Sequence, residues 1–198
     1  MSPRLILAST SPRRRELMGA LGLLFEIQPS DFDEDAVPVG DSAPEEWVVT
    51  LAAGKALAVA LQTQGDAIVI GADTTVVLDG ACLGKPKDPV DACRMLRRLS
   101  NRTHTVCTGL ALIKVADGTP QPPVTDVVTT KVTFDELTDH VIEAYVATGE
   151  PLDKAGSYGI QGKALSFIPR INGDYFNVVG LPLNRLVALL AEFGVSVW

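Results

Sequence analysis

The chain has 198 residues, of which 46% are hydrophobic and 21% are charged, and its formal net charge is −7. These proportions are typical of a globular protein with one core or two small lobes. The acidic charge balance argues against a nucleic-acid polymer or an anionic membrane as a partner. Any basic cluster in such a chain is local and suits a small anion better than a long one.

The N-terminal apolar stretch, residues 5–8, is too short for a signal peptide or a membrane span. We expect a cytoplasmic protein without membrane attachment. The three cysteines lack CxxC spacing, which is typical of reduced core residues with no functional role. They are Cys82, Cys93 and Cys107.

Hydrophobic patterning and turn residues predict the elements of the first half. They are a strand at 4–8, a helix at 12–22, a strand near 24–28, an acidic loop at 31–35, a helix at 44–63, a strand at 67–70 that stops at 71–74, and a hairpin at 76–83. The first helix begins with Ser11 as its N-cap. A capping box of Ser42 and Glu45 is expected to open the second helix, and Asp79-Gly80 is expected to form the hairpin turn.

The second half continues with alternating helices and strands. The predicted elements are a helix at 89–99 capped by Asp88, antiparallel strands at 104–115 and 124–134, a helix at 138–148 ending at Gly149, an irregular segment at 150–163, a hairpin turning at Asn172-Gly173, and a helix at 182–193 ending at Gly194. This mixture of parallel-type strands, hairpins and helices predicts an α/β fold with a mixed sheet. Functional residues are expected where strands end and loops begin.

Three arginines, Arg13, Arg14 and Arg15, occupy the first turn of the first helix. A cation there is disfavoured by the helix dipole by about 0.3–1 kcal/mol. Free backbone N–H groups, hydroxyls and guanidinium groups at one point suit a phosphate or carboxylate. An anion site is therefore the favoured interpretation, with exposed and inconsequential arginines as the alternative.

Asp73 and Lys55 are further candidates. Asp73 follows the strand at 67–70, where it is either a capping acid or a ligand facing a cleft. Lys55 lies on an apolar helix stripe with Trp47, Leu51 and Val59. Its ammonium group either acts in a site or reaches the edge of the core along its aliphatic stem.

Lys85 lies in a Gly-Lys-Pro turn that lacks a P-loop context, so taken alone it is weak evidence. The acidic loop matters only if it faces Asp73, because two carboxylates can share a divalent ion. The glycine-rich segment 150–162 is either a surface loop or a cover over the site. With only His104 and His140 in the chain, any metal must be held by oxygen ligands, which favours Mg²⁺ or Mn²⁺.

Together these residues describe a site for a phosphoanhydride. The set contains several cations and an oxygen-only metal site but no nucleophile–histidine pair. This indicates that the protein binds and polarises the phosphoanhydride while water attacks it. No covalent intermediate is needed.

The chain resembles the Maf family of nucleoside triphosphate pyrophosphatases over essentially its whole length. Several motifs in family order carry the resemblance. They are Ala8-Ser-Thr-Ser-Pro-Arg-Arg14, Leu51-Ala-Ala-Gly-Lys-Ala56, Gly71-Ala-Asp-Thr74, Gly84-Lys-Pro-Lys-Asp88, His104-Thr-Val-Cys-Thr-Gly109, Asp153-Lys-Ala-Gly-Ser-Tyr-Gly-Ile-Gln-Gly162 and Gly173-Asp-Tyr-Phe-Asn-Val-Val-Gly-Leu-Pro182.

The resemblance implies one domain over residues 1–198, with two α/β lobes around a cleft as in the inosine triphosphate pyrophosphatases. It implies a homodimer and a reaction in which a nucleoside triphosphate and water give the monophosphate and pyrophosphate with Mg²⁺ or Mn²⁺. The alternatives are a nucleotide-binding regulator of septum formation or cell division, and a pyrophosphatase for modified nucleotides such as 7-methyl-GTP.

The resemblance also implies residue roles. Asp73 is the expected metal ligand or general base, and Glu34 is the expected second carboxylate, although Asp33 or Asp35 could substitute for it. As a mechanistic hypothesis of our own, we expect Lys55, Lys85 and Arg14 to neutralise charge on the departing pyrophosphate. The positions expected to hold the triphosphate are Ser9, Arg14, Lys55 and Lys85.

Three positions indicate the branch of the family that acts on dTTP and UTP: Arg13, Thr74 and Gln161. The other branch, associated with 7-methyl-GTP, carries Trp, Gln and Glu there. Arginine and a neutral glutamine can pair with the carbonyls and imide N–H of uracil or thymine, whereas an acid suits a cationic methylated purine.

Overall fold

The computed structural model of the protein describes residues 3–40 and 42–198. Within these residues eight strands form one mixed sheet. The strands are β1 (Arg4–Leu7), β2 (Glu26–Ile27), β3 (Ala67–Leu78), β4 (Ala81–Leu83), β5 (Thr103–Ala116), β6 (Thr119–Pro120), β7 (Val124–Thr133) and β8 (Arg170–Asn172). Their order is β2-β1-β3-β5-β7-β8, with β4 paired to β3 and β6 paired to β5. The predicted mixed α/β architecture is confirmed.

Helices cover both faces of this sheet. They are α1 (Pro12–Ala20), α2 (Pro44–Ala60), α3 (Pro89–Leu99), α4 (Asp139–Val146), α5 (Tyr175–Val179) and α6 (Leu183–Glu192). All but α5 were predicted from the sequence. Three short 3₁₀ turns follow α4: Glu150–Asp153 and Ala155–Ser157 lie in the irregular segment, and Lys163–Phe167 begins at its last residue. Throughout the described ranges, every helix is too short or too polar to cross a bilayer.

Strand β3 is longer than predicted, and Asp73 lies inside it. The parallel pairing of β1 with β3 ends at Leu7 and Ile70, which is where the sequence suggested that the strand stops. Antiparallel pairing with β5 continues to Val77 and Thr105. The predicted end at residue 70 is therefore wrong, because one neighbouring strand ends while the other continues. Asp73 lies three residues beyond Ile70, in the part of β3 that β1 no longer pairs with.

Two smaller predictions are also wrong. No second strand follows Gly173, because the Asp174 carboxylate accepts hydrogen bonds from the backbone of Phe176 and Asn177 and so caps helix α5. The predicted capping box at Ser42 does not form, since the N-cap of α2 is Ala43, with proline next and no side-chain cap bond.

The predicted caps and turns elsewhere are confirmed. Ser11 caps α1 and Asp88 caps α3, each through its side-chain oxygen. Asp79 and Gly80 have φ values of 53° and 77°, which suits the tight turn that joins β3 to β4. Gly149 and Gly194 have positive φ and follow the ends of α4 and α6.

The core divides along the length of β3 and β5. At one end the sheet is buried between α2 on one face and α1 with α6 on the other, where the packed side chains include Ala56, Val69, Ile113, Met18, Ile70 and Leu186. At the other end it packs against α3 and α4, with Val76, Leu78, Leu96, Leu99 and Ile142. Asp73 lies between these two regions.

Candidate active site

A cavity of about 1090 Å³ opens beside the middle of β3. Its wall comes from α1, the acidic loop, α2, the turn after β4 and the segment 150–163. Every site residue predicted from the sequence lines it: Ser9, Arg13, Arg14, Glu34, Lys55, Asp73, Thr74, Lys85 and Gln161. Residues far apart in the chain therefore share one pocket.

Two carboxylates converge on one ammonium group in this cavity. The Nζ atom of Lys55 lies 2.5 Å from Oδ1 of Asp73 and 3.0 Å from Oε1 of Glu34. Lys55 and Asp73 are 9% and 8% exposed, whereas Glu34 is an exposed residue. The structure thus places Lys55 in a charged cluster rather than at the edge of the core.

Close packing of α2 on the sheet explains this contact. A Cβ atom built on Gly71 would lie 2.2 Å from a backbone carbonyl oxygen of α2, and one on Gly109 would lie 2.5 Å from another. Gly71 precedes Asp73 by two residues, and Gly109 is the cross-strand partner of Asp73. The two glycines let the helix backbone touch the sheet, which brings Lys55 to Asp73.

Arg14 is held at the cavity wall by three acceptors. Its Nε donates to the carbonyl of Gly180 at 2.8 Å, and its terminal nitrogens donate to Oγ1 of Thr74 at 3.1 Å and to Oγ of Ser9 at 3.5 Å. Burial lowers the pKa of the Arg14 guanidinium, and the charge of Asp73 partly opposes that shift. All three acceptors are neutral, so this desolvated cation can bind an anion in the cavity.

Thr74 supports Arg14 through a chain of hydroxyl groups. The Thr108 hydroxyl donates its proton to the carbonyl of Asn177 at 3.1 Å, so it must accept in its 2.9 Å contact with Thr74. The Thr74 proton is therefore engaged, and one of its lone pairs accepts from Arg14. Thr74 can offer a ligand an acceptor but not a donor.

Sequence reasoning missed Thr108 and Asn177, which are both fully buried. Thr108 lies directly opposite Thr74 on β5. Strand β5 carries other polar residues, such as His104 and Thr105, so its sequence does not single out Thr108. The partner of Thr108 becomes apparent only once the strand register is known.

The remaining arginines of the first helical turn differ in position. Arg13 lines the cavity, and its Nη1 lies 3.5 Å from Oδ2 of Asp153. The other carboxylate oxygen of Asp153, Oδ1, accepts from Lys154 at 2.6 Å. Arg15 is exposed and does not line the cavity. Two of the three arginines thus contribute to the pocket.

Lys85 and Gln161 are exposed residues at the cavity wall. The turn that carries Lys85 is joined to the irregular segment, because the backbone N–H of Gly156 donates to the carbonyl of Gly84 at 3.1 Å. The lysine and the glutamine therefore lie on connected parts of one wall.

Glu150 fixes the segment that carries Gln161, and sequence reasoning missed this role. Its carboxylate accepts from the Tyr145 hydroxyl at 2.8 Å and from the backbone N–H of Lys163 at 3.0 Å. A Cβ atom on Gly162 would lie 2.1 Å from the same carboxylate. The glycine thus makes room for the acid that anchors the loop.

The donor set at Lys55 fits a hard divalent cation. The Glu34 and Asp73 carboxylates lie near enough to share one cationic atom, and oxygen is the ligand that Mg²⁺ and Mn²⁺ prefer. No group of three or more His, Cys, Asp or Glu residues suited to a metal occurs within residues 3–40 and 42–198. Two carboxylates with water and phosphate oxygens are a common donor set for Mg²⁺.

Among the four acids of the loop at 31–35, Glu34 is the one in contact with Lys55. The Asp33 carboxylate instead accepts from the backbone N–H of Asp35 at 3.1 Å. The contacts therefore favour Glu34 as the second carboxylate.

Comparison with known proteins identifies the family. The family model described as "Maf-like protein" matches residues 4–193. The chain belongs to this family. A dTTP/UTP pyrophosphatase of Moorella thermoacetica is 53% identical over 195 residues, which are 98% of this chain and 97% of the relative. A dTTP/UTP pyrophosphatase of Clostridium botulinum (strain 657 / Type Ba4) is 49% identical over 194 residues, covering 97% and 98% of the two chains.

Solved structures share the fold of this Maf-like chain at low sequence identity. A HAM1 protein from Coxiella burnetii superposes with a TM-score of 0.52 and 16% identity, covering 96% of this chain and all of the other. The Staphylococcus aureus Ham1 protein superposes with a TM-score of 0.52 and 15% sequence identity, covering 96% of this chain and 99% of the other. These likenesses confirm the expected α/β fold.

Proposed function

We propose that this chain hydrolyses dTTP and UTP to the nucleoside monophosphate and pyrophosphate. The observation that carries the proposal is the cluster of Lys55, Asp73 and Glu34 beside Arg14 in one cavity. The two bacterial relatives named dTTP/UTP pyrophosphatase, each about half identical over nearly the whole chain, support the same reaction.

The triphosphate would be held by Arg14, Lys55, Lys85 and Ser9. The substrate carries about four negative charges, and each charge-assisted hydrogen bond contributes about 1.5–3 kcal/mol. This explains why arginines occupy the positive end of a helix, where the dipole disfavours them. Binding of the polyanion offsets that penalty.

Asp73 and Glu34 would hold a divalent cation, Mg²⁺ or Mn²⁺. When bound, such an ion neutralises phosphoryl charge and makes a bound water more acidic. Asp73 accepts the proton of the attacking water as general base. Lys55 keeps the Asp73 carboxylate in place through its 2.5 Å contact, and Lys55, Lys85 and Arg14 neutralise the departing pyrophosphate.

Arg13 and Gln161 would recognise the base, with Thr74 nearby. Gln161 presents both an acceptor and donors to the carbonyl and imide groups of uracil or thymine. Because the Thr74 proton is engaged by Thr108, the contribution of Thr74 to a ligand comes through Arg14 or through its free lone pair.

The family resemblance also supports proposals on organisation: a single domain over residues 1–198, a homodimer and a cytoplasmic location. Sedimentation velocity at several protein concentrations tests the dimer. A sedimentation coefficient that stays at the monomer value over the concentration range would contradict it.

Product analysis tests the proposed reaction. The protein is incubated with dTTP and Mn²⁺ or Mg²⁺, and the nucleotides and phosphates are separated. We expect dTMP and pyrophosphate, with dTTP and UTP turned over faster than CTP, GTP or 7-methyl-GTP. Release of dTDP and phosphate would contradict the proposal. Unchanged triphosphate would support the nucleotide-binding regulator instead.

A further inference from the structure

The acidic arm, residues 32–37, is attached to helix α2 at two points. The indole Nε1 of Trp47 donates to the carbonyl of Val37 at 2.9 Å. At the other end the Phe32 ring packs so closely on the helix that a Cβ atom on Gly54 would lie 2.4 Å from it. Both anchor points belong to the helix that carries Lys55.

Glu34 lies between these two attachments. Its side chain is 48% exposed, and its contact in the site is the 3.0 Å ion pair with Lys55. An exposed carboxylate on a surface loop has many accessible conformations, and one such ion pair restricts them little. The two attachments limit the arm to positions in which Glu34 faces the cavity.

Gly54 is the more informative of the anchor residues. Glycine is unfavourable in the interior of a helix compared with alanine, and α2 continues for six residues beyond it. Here the absence of a side chain lets the Phe32 ring rest on the helix backbone one residue before Lys55. The glycine thus sets the distance between the acidic arm and the lysine.

We propose that Phe32, Gly54 and Trp47 are positioning residues that hold Glu34 opposite Asp73 and thereby set the affinity for the divalent cation. This inference rests on the proposed function, in which Glu34 and Asp73 bind that cation. Phe32 and Trp47 line the cavity, but neither side chain offers an oxygen ligand, so we expect them to act on the cation through Glu34.

The test is Mn²⁺ binding to the full chain, measured as the electron paramagnetic resonance signal of the free ion, without nucleotide. We expect Phe32→Ala and Gly54→Ala to weaken Mn²⁺ binding about 10-fold, as loss of groups that orient metal ligands does. Trp47→Phe, which removes one hydrogen bond, should weaken it about 5-fold.

Matched controls come from the same chain. Gly19→Ala places a methyl group on a helix where nothing lies within 4 Å, and Trp198→Phe changes a fully exposed tryptophan. Both should leave Mn²⁺ binding unchanged.

Phe32→Ala is measured both in the unaltered chain and in the Glu34→Gln variant, which separates positioning of Glu34 from a general structural effect. If Phe32 acts through Glu34, Phe32→Ala weakens Mn²⁺ binding in the unaltered chain and has no further effect in Glu34→Gln. An equal loss in both backgrounds would overturn the inference, as would unchanged binding in Phe32→Ala alone.

A kinetic measurement gives a second readout. The concentration of Mn²⁺ that gives half-maximal turnover should rise in Phe32→Ala and Trp47→Phe, while kcat at saturating Mn²⁺ stays within about twofold, since correct geometry is restored once the ion binds. A lower kcat at unchanged Mn²⁺ dependence would contradict positioning.

The outcomes for Glu34→Gln distinguish this inference from the proposed function. If Glu34→Gln binds Mn²⁺ as tightly as the unaltered chain, the proposed metal site itself fails. If Glu34→Gln weakens binding but the variants of Phe32, Gly54 and Trp47 do not, the positioning inference fails alone.

Discussion

The ammonium nitrogen of Lys55 lies 2.5 Å from a carboxylate oxygen of Asp73, and both residues are buried. Removing two charges from water is unfavourable, and their attraction often does no more than offset the desolvation. A buried pair of this kind is therefore weak evidence for stability. Its position in a cavity beside Arg14 agrees with the chemical role that we propose for it.

Asp73→Asn should abolish turnover while leaving dTTP binding detectable. Loss of a general base lowers the rate by about 10²–10⁴-fold, and loss of a metal ligand adds to that effect. Arg14 and Lys85 remain to hold the phosphates. The measurements are kcat for dTTP and the binding isotherm by calorimetry.

The matched control is Asp135→Asn, which neutralises an exposed acid that does not line the cavity. It should retain normal kcat. Near-normal turnover in Asp73→Asn would eliminate the assigned role of this carboxylate.

Gln161→Glu should weaken the binding of dTTP and UTP much more than it weakens the binding of pyrophosphate. The substitution removes the amide donors and introduces a negative charge where the base carbonyls are expected, while Arg14 and Lys55 are untouched. Dissociation constants for dTTP with a non-reactive metal and for pyrophosphate test this directly. Equal losses for both ligands would show that Gln161 does not read the base.

Gly71→Ala should separate the active-site helix from the sheet. The added methyl group would lie 2.2 Å from a carbonyl oxygen of α2, and such overpacking typically destabilises by about 1–3 kcal/mol. Because α2 carries Lys55, turnover should fall as well. Urea denaturation and kcat are the measurements.

Gly19→Ala is the control for that substitution, since its methyl group meets nothing within 4 Å. In a helix it should be neutral or stabilising by up to about 1 kcal/mol. If Gly71→Ala proved no less stable than Gly19→Ala, the close helix–sheet contact would be contradicted.

His104 should make stability depend on pH. Burial lowers the pKa of this imidazole from 6.5 to about 4, and its Nε2 lies 2.7 Å from the Tyr158 hydroxyl. Between these values the unfolded chain binds a proton that the folded chain does not, so stability falls as the pH falls from about 6.5 to 4. Linkage gives a loss on the order of 2–3 kcal/mol from this residue.

Urea denaturation at pH 7 and pH 4 of the unaltered chain and of His104→Gln measures this contribution. The fall in unfolding free energy should be smaller in the variant. Equal falls in the two proteins would show that His104 titrates normally in the folded state.

Element types could largely be predicted from the sequence, because capping and turn residues mark helix ends locally. Ser11, Asp88 and the Asp79-Gly80 turn each act within a few residues of their own position. Strand β3 was shortened in the prediction because Gly71-Ala-Asp-Thr74 has the composition of a turn. Its continuation depends on pairing with β5, which is distant in the chain: Gly71 pairs with Ala111 and Val77 with Thr105.

The composition of the site was predictable, whereas its supporting contacts were not. The motifs identify Arg14, Lys55 and Asp73 as residue types suited to a polyphosphate and a divalent ion. The hydroxyl chain through Thr108 and the ring of Phe32 on Gly54 depend on strand register and helix docking. Such contacts leave no local pattern in the sequence.

Hydrolysis of dTTP in H₂¹⁸O tests the central proposal most directly, because the label shows which phosphorus the water attacks. With attack at the α-phosphorus, mass spectrometry should find one ¹⁸O atom in dTMP and none in pyrophosphate. Label in pyrophosphate, or in free phosphate released with dTDP, would contradict the proposed reaction.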